Sequence, residues 1–158
     1  MAVIAKIFTI GHGALPLEEF LQRLQTHQIH ALADVRRFPA SKRHPHFSRA
    51  VLAAALNKIA ISYHWFGEKL GGYRTGGYDA YAVTGVFRAG CDELQQLAQK
   101  QPTAFMCAEL DYRACHRRFI AEYLQQQGVE IWHIGKNGEL FSHAVAESGV
   151  TLPIPFGN

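Results

Sequence analysis

The sequence lacks any long run of uncharged apolar residues, and this absence excludes a membrane-spanning helix. It contains only three cysteines, too few for the disulfide framework of a small secreted domain, and the odd number leaves at least one thiol free. The first ten residues include Lys6 and have neither the apolar stretch nor the small-residue cleavage site of a signal peptide. We therefore expect a protein of the reducing cytoplasm with no membrane partner.

Charged residues are also scarce, at 18%, whereas hydrophobic residues make up 48% of the chain. This balance is typical of a globular protein and excludes an intrinsically disordered one. A chain of 158 residues can bury one hydrophobic core, and we find no internal repeat, low-complexity segment or linker. The sequence thus predicts a single domain over residues 1–158, with a proline-containing tail over 149–158.

Acidic residues are absent between Asp34 and Glu68, although the net charge of the whole chain is only +3. A segment of one sign within a nearly balanced protein is either an anion-binding face or a solvated surface. The basic part at 36–49 also contains two phenylalanines, Phe38 and Phe47. The basic residues of the acid-free segment are Arg36, Arg37, Lys42, Arg43, Arg49 and Lys58, with His44, His46 and His64.

Strand-like and helix-like patterns alternate along the chain. Apolar and β-branched runs predict strands, whereas apolar residues spaced three and four apart predict helices. The predicted strands are 3–10, 31–35, 61–66, 103–108 and 129–134. The predicted helices are 16–27, 49–59, 78–100 (whole or divided near Gly85 and Gly90), 113–127 and a short one near 141–147. This alternation predicts an α/β fold with three layers, in which helices flank a mainly parallel sheet of about five strands.

Polar side chains stand at the end of every predicted strand. In open parallel sheets, ligands bind beyond the carboxyl ends of the strands, because the connecting loops and helix N-termini meet there. The sequence therefore predicts a site at this edge of the sheet. The residues at the five strand ends are His12, then Asp34 and Arg36, then His64, then Cys107 and Glu109, then His133.

The densest group of reactive side chains lies in residues 107–118, around two cysteines. Cys107 would leave the fourth strand, and Cys115 would lie in the first turns of the next helix. A thiol near a helix N-terminus and beside basic side chains ionises more readily than a free cysteine, although Glu109 and Asp111 oppose this by like-charge repulsion. The alternative is that both cysteines are small buried hydrophobic residues, since Cys115 lies on the apolar stripe of its predicted helix.

Six short motifs occur in a fixed order from the first strand to the last. They are Thr9-Ile10-Gly11-His12, Asp34-Val35-Arg36 with Pro39 and Ser41, Leu70-Gly71-Gly72, Cys107-Ala108-Glu109, Cys115-His116-Arg117 and His133-Ile134. Together they resemble the bacterial "domain of unknown function 488" family over roughly residues 7–134. One departure is Gly13, where the family usually has serine or threonine. The resemblance implies a cytosolic, enzyme-like α/β domain and supplies no established substrate.

The first functional hypothesis is a cysteine-dependent enzyme, a transferase or hydrolase, acting on an anionic substrate such as a nucleotide or nucleic acid. Arginine suits anion binding through its bidentate geometry, and Glu109 or His116 could carry a proton. The candidate catalytic residues are Cys107, Cys115, Glu109, His116 and His12. The candidate substrate-binding residues are Arg36, Arg113, Arg117, Asp34, Gly71 and Gly72.

Two known cysteine loops offer partial parallels for this hypothesis. Cys107 and Arg113 have the Cys-x5-Arg spacing of phosphate-cradling loops, but the intervening residues include no glycine and carry two carboxylates. Those carboxylates would repel a phosphate, so only the spacing matches. A strand end such as Asp34-Val35-Arg36 followed by a cysteine loop is also similar to sulfurtransferases of the rhodanese type.

Two further hypotheses remain open from the sequence. Cysteine, histidine and glutamate side chains are suitable ligands for zinc or iron, but no Cys-x2-Cys pair is present, and we assign no metal and no cofactor. The segment 36–49 could instead follow a phosphate backbone, with its phenylalanines stacking on bases, as in a nucleic-acid-binding module. The pattern contains no recognised nucleic-acid-binding signature.

Overall fold

Six strands form one sheet at the centre of the protein, in a computed structural model that describes residues 5–143. The strands are β1 (Lys6–Gly11), β2 (Ala31–Asp34), β3 (Ser62–Trp65), β4 (Thr103–Cys107), β5 (Glu130–Ile134) and β6 (Leu140–Ser142). The helices are α1 (Leu17–Thr26), α2 (Arg49–Lys58), α3 (Gly67–Leu70), α4 (Tyr78–Tyr81), α5 (Gly85–Lys100) and α6 (Arg117–Gln126). None of these helices is long and apolar enough to cross a membrane.

The strand order is β3-β2-β4-β1-β5-β6. The first five strands in the chain pair in parallel, and β6 pairs antiparallel to β5 at the edge. The predicted α/β class and mainly parallel sheet are therefore confirmed. The sheet has one strand more than the five that the sequence predicted, because β6 is too short and too exposed to give an alternating pattern.

Helices cover both faces of the sheet and make the three layers. On one face, α1 and α2 bury Phe20, Leu24, Leu52 and Leu56 against the sheet. On the other face, α5 and α6 bury apolar side chains in a second cluster, in which Cys91 is fully buried as a packing residue. Because successive residues of a strand point to opposite faces, the central strand β1 contributes to both clusters.

The connections that follow the adjacent strands β1 and β4 run in opposite directions across the sheet. The connection after β1 passes through α1 on one face towards β2, and the connection after β4 passes through α6 on the opposite face towards β5. The loops that leave these two adjacent strands therefore separate and open a crevice at their carboxyl ends, where Gly11 pairs with Cys107. A methyl group at Gly11 would lie 1.7 Å from the backbone oxygen of Glu109, so only glycine permits this close approach.

Several predicted element boundaries differ from the structure. The helix predicted from residue 113 begins at Arg117, because Tyr112–Ala114 form a separate 3-10 turn closed by the Asp111 carboxylate. The short helix predicted near 141–147 is wrong at its start, since Leu140–Ser142 is a strand, and residues 144–147 lie outside the described residues. The segment 78–100, predicted as one helix or as a helix divided near Gly85 and Gly90, is divided before Gly85. The predicted tail at 149–158 also lies outside the described residues.

Candidate active site

A cavity of about 610 Å³ opens at the crevice beyond the carboxyl ends of β1, β2 and β4. His12 follows β1, Arg36 follows β2, and Cys107 and Glu109 come from the end of β4, and all four line the cavity. His64 and His133, which the sequence also placed at strand ends, do not line it. The wall is completed by Arg37, Phe38, Ala40, Ser41, Gly72, Tyr73, Tyr78, Ala108, Arg113, Ala114, Cys115, His116, Arg118 and Phe119.

The two cysteines meet at the floor of the cavity. Cys107 is the last residue of β4 and is buried, and Cys115 follows the 3-10 turn and is half-buried. Their Sγ atoms are 2.8 Å apart. The turn at Tyr112–Ala114 folds the chain back on itself and thereby places Cys115 beside the strand end, instead of on the helix where the sequence placed it.

Arg117, the first residue of α6, is buried directly beneath the two cysteines, with 1% of its surface exposed. Its Nε donates to Sγ of Cys107 at 3.0 Å and to Sγ of Cys115 at 3.3 Å. Its terminal nitrogens donate to the hydroxyl of Thr9 and to the backbone oxygens of Glu109 and Leu110. Arg117 therefore belongs to the core below the site and does not line the cavity, unlike the substrate clamp that the sequence predicted.

The environment of Arg117 requires a negative charge. Among residues 5–143, no carboxylate forms an ion pair with this guanidinium, and its other acceptors are a hydroxyl and two backbone oxygens, all neutral. A buried cation is strongly unfavourable unless it is paired. Among the described residues, the two sulfur atoms are the remaining acceptors, and a thiolate on one of them would supply the counterion.

The surroundings select Cys115 as that thiolate. Burial opposes its ionisation, but the hydrogen bond from Cys107 and the charge of Arg117 outweigh burial and lower the pKa of Cys115 to about 6. Burial, followed by the hydrogen bond with Cys115, raises the pKa of Cys107 well above the ordinary value. These opposite shifts correspond to a pair in which Cys107 keeps its proton and donates its S–H to a Cys115 thiolate near neutral pH.

Two neutral histidines face the cavity. His116 donates from Nε2 to the backbone oxygen of Val35 at 2.7 Å, and His12 donates from Nδ1 to the backbone oxygen of Gly13 at 2.8 Å. Because a carbonyl only accepts, the other ring nitrogen of each histidine carries a lone pair. Burial lowers the pKa of both histidines to about 4, so both rings are neutral at neutral pH. Gly72 leaves the free nitrogen of His116 accessible, since a methyl group there would lie 3.3 Å from Nδ1.

A buried ion pair holds Arg36 at the cavity wall. Asp34 is fully buried and accepts from the backbone nitrogen of Arg36, from its Nε at 2.9 Å and from its Nη2 at 2.8 Å. The hydroxyl of Tyr63 also donates to this carboxylate. The remaining nitrogen, Nη1 of Arg36, lies 3.4 Å from Nε2 of His12. Asp34 therefore orients Arg36 and does not itself reach the cavity.

The other residues predicted from sequence occupy different depths. Arg113 lines the cavity but pairs with Asp111 and makes no hydrogen bond with Cys107, so the phosphate-loop role suggested by the Cys-x5-Arg spacing is not supported. Glu109 lines the cavity with an exposed side chain. Gly71 is buried against the backbone of Arg37 and does not reach the cavity.

Comparison with known families decides the affiliation of the chain. The sequence matches the family model described as "Domain of unknown function DUF488" over residues 16–124. The chain belongs to the DUF488 family. No curated protein and no solved structure matches the chain. The DUF488 match includes Cys107, Cys115 and Arg117, whereas Thr9, His12 and His133 lie outside the matched residues.

The basic segment 36–49 of this DUF488 protein is not one continuous surface. Arg36 is buried against Asp34, and Phe47 is fully buried against Phe20 and His12, so neither can contact a nucleic acid along a surface stripe. Phe38 is 64% exposed at the cavity mouth. Of the two phenylalanines predicted to stack on bases, only Phe38 is exposed.

The geometry does not support the metal hypothesis for this part of the DUF488 chain. Across residues 5–143, no three histidine, cysteine, aspartate or glutamate side chains converge as metal ligands. His12 instead bonds through both ring nitrogens, to Gly13 and Arg36, and His116 bonds through Nε2 to Val35 and keeps only Nδ1 open to the cavity.

Sequence reasoning missed three polar residues around this DUF488 site. Tyr63 completes the shell of Asp34, Thr9 accepts from Arg117, and His143 bonds to His133. Thr9 carried a usable signal, since it is a polar residue within an apolar strand that is buried on both faces. His143 carried no such signal, because its strand neighbour β6 is exposed and short.

Proposed function

We propose that this protein is a cysteine-dependent enzyme in which the Cys115 thiolate attacks an anionic substrate bound in the cavity. The observation that carries this proposal is the buried guanidinium of Arg117, which has no carboxylate partner among the described residues and donates to both sulfur atoms. A thiolate at neutral pH is the reactive form of cysteine. A cytoplasmic location suits this chemistry, because the thiols must remain reduced.

The cavity wall supports an anionic substrate. Among the described residues, four arginines line it, namely Arg36, Arg37, Arg113 and Arg118, and Glu109 is the one carboxylate residue. Arg36 and Arg113 are each paired with an aspartate outside the lining, so the positive charge in excess comes from Arg37 and Arg118. Guanidinium groups favour phosphate or carboxylate groups as hydrogen-bond partners. The exposed ring of Phe38 could stack on a base, so a nucleotide or the end of a nucleic acid strand fits the proposal. The reaction class is transfer or hydrolysis through a covalent intermediate on sulfur.

The proton carriers are the groups with free lone pairs at the wall. His116 presents an unprotonated Nδ1, and Glu109 has an exposed carboxylate. The attacking sulfur is already ionised, so these groups serve the leaving group or a water that releases the substrate from the enzyme. Cys107 keeps its proton and stabilises the thiolate by hydrogen bonding.

Alkylation by iodoacetamide, followed at each cysteine by mass spectrometry over a range of pH, tests this proposal. We expect the rate at Cys115 to rise with pH through a midpoint near 6 and then level off, because alkylation requires the thiolate. Cys91 is an internal control, since burial raises the pKa of its thiol and it lies away from the cavity. Inorganic phosphate should slow the reaction at Cys115 only. A midpoint at or above 9.0, the ordinary value, would remove the nucleophile from the proposal.

A second function, thiol–disulfide exchange, is favoured by the separation of 2.8 Å between the two sulfur atoms. In this reaction the Cys115 thiolate attacks a small disulfide, forms a mixed disulfide and releases one thiolate. Cys107 then attacks the sulfur of Cys115, the second half of the small disulfide departs, and the proton of Cys107 goes to a departing thiolate. The protein loses two electrons and the one proton of Cys107, and the small disulfide is reduced to one thiol and one thiolate, which takes its proton from water.

Exchange with oxidised glutathione separates this function from the first. If the pair exchanges, we expect two molecules of reduced glutathione per protein and an internal disulfide between Cys107 and Cys115, because the second sulfur is within reach. A C91S variant should behave like the unaltered protein. A mixed disulfide that persists on Cys115 would show that Cys107 does not resolve it, and the exchange function would be rejected.

A further inference from the structure

A chain of hydrogen bonds runs from the buried Arg117 to the protein surface. Arg117 donates to the hydroxyl of Thr9 at 3.0 Å, and this hydroxyl lies 2.6 Å from Nδ1 of His133. Nε2 of His133 lies 3.0 Å from Nδ1 of His143, and Nε2 of His143 lies 2.8 Å from the carboxylate of Glu122. Thr9, His133 and His143 are buried, whereas 44% of the Glu122 side chain is exposed.

The groups at the two ends allow every bond in this chain to run in one direction. A guanidinium only donates and a carboxylate only accepts, so Thr9 accepts from Arg117 and Glu122 accepts from His143; with one proton on each ring, the proton of Thr9 is then donated to His133. Nδ1 of His133 is then an acceptor, its proton lies on Nε2, and it donates to His143. His143 in turn donates from Nε2 to Glu122. All the dipoles are thus aligned, with a cation at the inner end and a carboxylate at the outer end.

We infer that Thr9, His133, His143 and Glu122 are positioning residues that hold the guanidinium of Arg117 against the two sulfur atoms. This inference rests on the proposed function, in which the thiolate of Cys115 is the nucleophile. None of the four residues lines the cavity, so they act on the substrate only through Arg117. A hydrogen bond to a charged group contributes more than one between neutral groups, and the loss of a buried acceptor leaves the guanidinium unsatisfied.

The register of the sheet holds the inner part of this chain in place. Thr9 on β1 pairs directly with His133 on β5, so both side chains lie on the same face of the sheet as Arg117. The ring of His133 is also stacked on Tyr112 at a centroid distance of 3.5 Å, which links it to the turn before Cys115. Burial lowers the pKa of His133 far below its ordinary value, in agreement with a neutral ring that only passes on a hydrogen bond.

Other titratable groups also act on Cys115 or Arg117. They are Cys107 on β4, Asp111 and Tyr112 in the turn, Tyr78 on α4, His116 before α6 and His133 on β5. Arg74 acts on Tyr78 and His116, and Arg113 acts on Asp111, Tyr112 and His133. T9V leaves all of these groups in place, and H133F removes only the neutral ring of His133.

The test compares T9V with T9S by alkylation of Cys115 over a range of pH. Valine has the shape of threonine but accepts no hydrogen bond, so Nη1 of Arg117 loses its acceptor and the guanidinium moves away from the sulfur atoms. We expect the midpoint of Cys115 to rise by roughly one pH unit in T9V, which is about a tenfold loss of thiolate below the midpoint. T9S keeps the hydroxyl and should restore the original midpoint.

A matched control separates positioning from simple loss of stability. Thr103 is also fully buried on the neighbouring strand, but its hydroxyl donates to the backbone oxygen of Gln101, outside the chain. T103V should lower the free energy of unfolding without moving the midpoint of Cys115. H133F keeps an aromatic ring on Tyr112 but removes both nitrogens, and it should shift the midpoint in the same direction as T9V by a smaller amount.

The outcomes of this test distinguish the inference from the proposed function. An ordinary midpoint for Cys115 in the unaltered protein would contradict the nucleophile itself. A low midpoint that stays the same in both T9V and H133F would contradict only the positioning role of the chain. If T9V does not fold, the comparison of H133F with the unaltered protein still decides the question.

Discussion

Replacement of Arg117 by methionine is expected to raise the pKa of Cys115 from about 6 towards the ordinary value of 9.0. Methionine fills a similar volume but carries no charge and donates no hydrogen bond. Burial would then dominate at Cys115, and burial favours the neutral thiol. A shift of roughly three pH units would reduce the thiolate fraction at pH 7 from about nine-tenths to about one-hundredth, and the alkylation rate would fall about 100-fold.

R113M is the matched control for this change. Arg113 lies four residues earlier, lines the cavity and pairs with Asp111, but it makes no hydrogen bond with either sulfur atom. Its loss should leave the midpoint of Cys115 within a few tenths of a pH unit of the original. Circular dichroism establishes that R117M is folded before its rate is interpreted. An unchanged midpoint in folded R117M would show that the guanidinium does not stabilise the thiolate.

The position of the site could be predicted from sequence because it depends on the architecture. Apolar runs located the ends of β1, β2 and β4, and parallel strands bring their carboxyl ends to one edge. His12, Arg36 and Cys107 therefore line one cavity, although strand order was not known. His64 and His133 fail the same rule, because each lies within its strand and not beyond it.

The burial of Arg117 was not predicted, because its charge suggested a position at the surface. The buried residues of α6 are Arg117, Ile120, Ala121 and Leu124, which follow the spacing of one helix face. A stripe drawn through apolar residues alone omits the arginine at its start. The charge suggested a ligand at the surface, whereas the periodicity indicated a side chain in the core. Periodicity is the better guide to burial here, and the burial of this arginine beside two sulfur atoms is the basis of the proposed thiolate.

The turn before α6 could not be predicted for a different reason. Asp111 accepts from the backbone nitrogen of Arg113 and forms the cap of the 3-10 turn, so the helix begins four residues later than predicted. Side-chain bonds of this kind compete with the helix over a few residues and leave little trace in an apolar pattern. The displacement brings Cys115 off the helix and beside Cys107, and the close sulfur pair depends on it.

Replacement of Asp34 by alanine is expected to destabilise the fold by about 3–5 kcal/mol, because it leaves the charge of Arg36 buried without a partner. Asp34 is fully buried, and Arg36 is 6% exposed. The variant also removes the acceptor for the hydroxyl of Tyr63. Urea unfolding measures the change in the free energy of unfolding. The doubly substituted D34A/R36M variant should recover part of the loss, since the unpaired charge is gone.

The chain contains its own control for this prediction. Asp111 binds Arg113 in the same way that Asp34 binds Arg36, with one oxygen accepting from the backbone nitrogen and Nε, and the other from Nη2. The two pairs differ mainly in exposure, since 46% of the Asp111 side chain is accessible to solvent. D111A should therefore cost less than about 1 kcal/mol, because water replaces the lost contacts. Equal losses of unfolding free energy in D34A and D111A would contradict burial as the cause. A much larger loss in D34A would show that the same contacts contribute more to stability when Arg36 is buried.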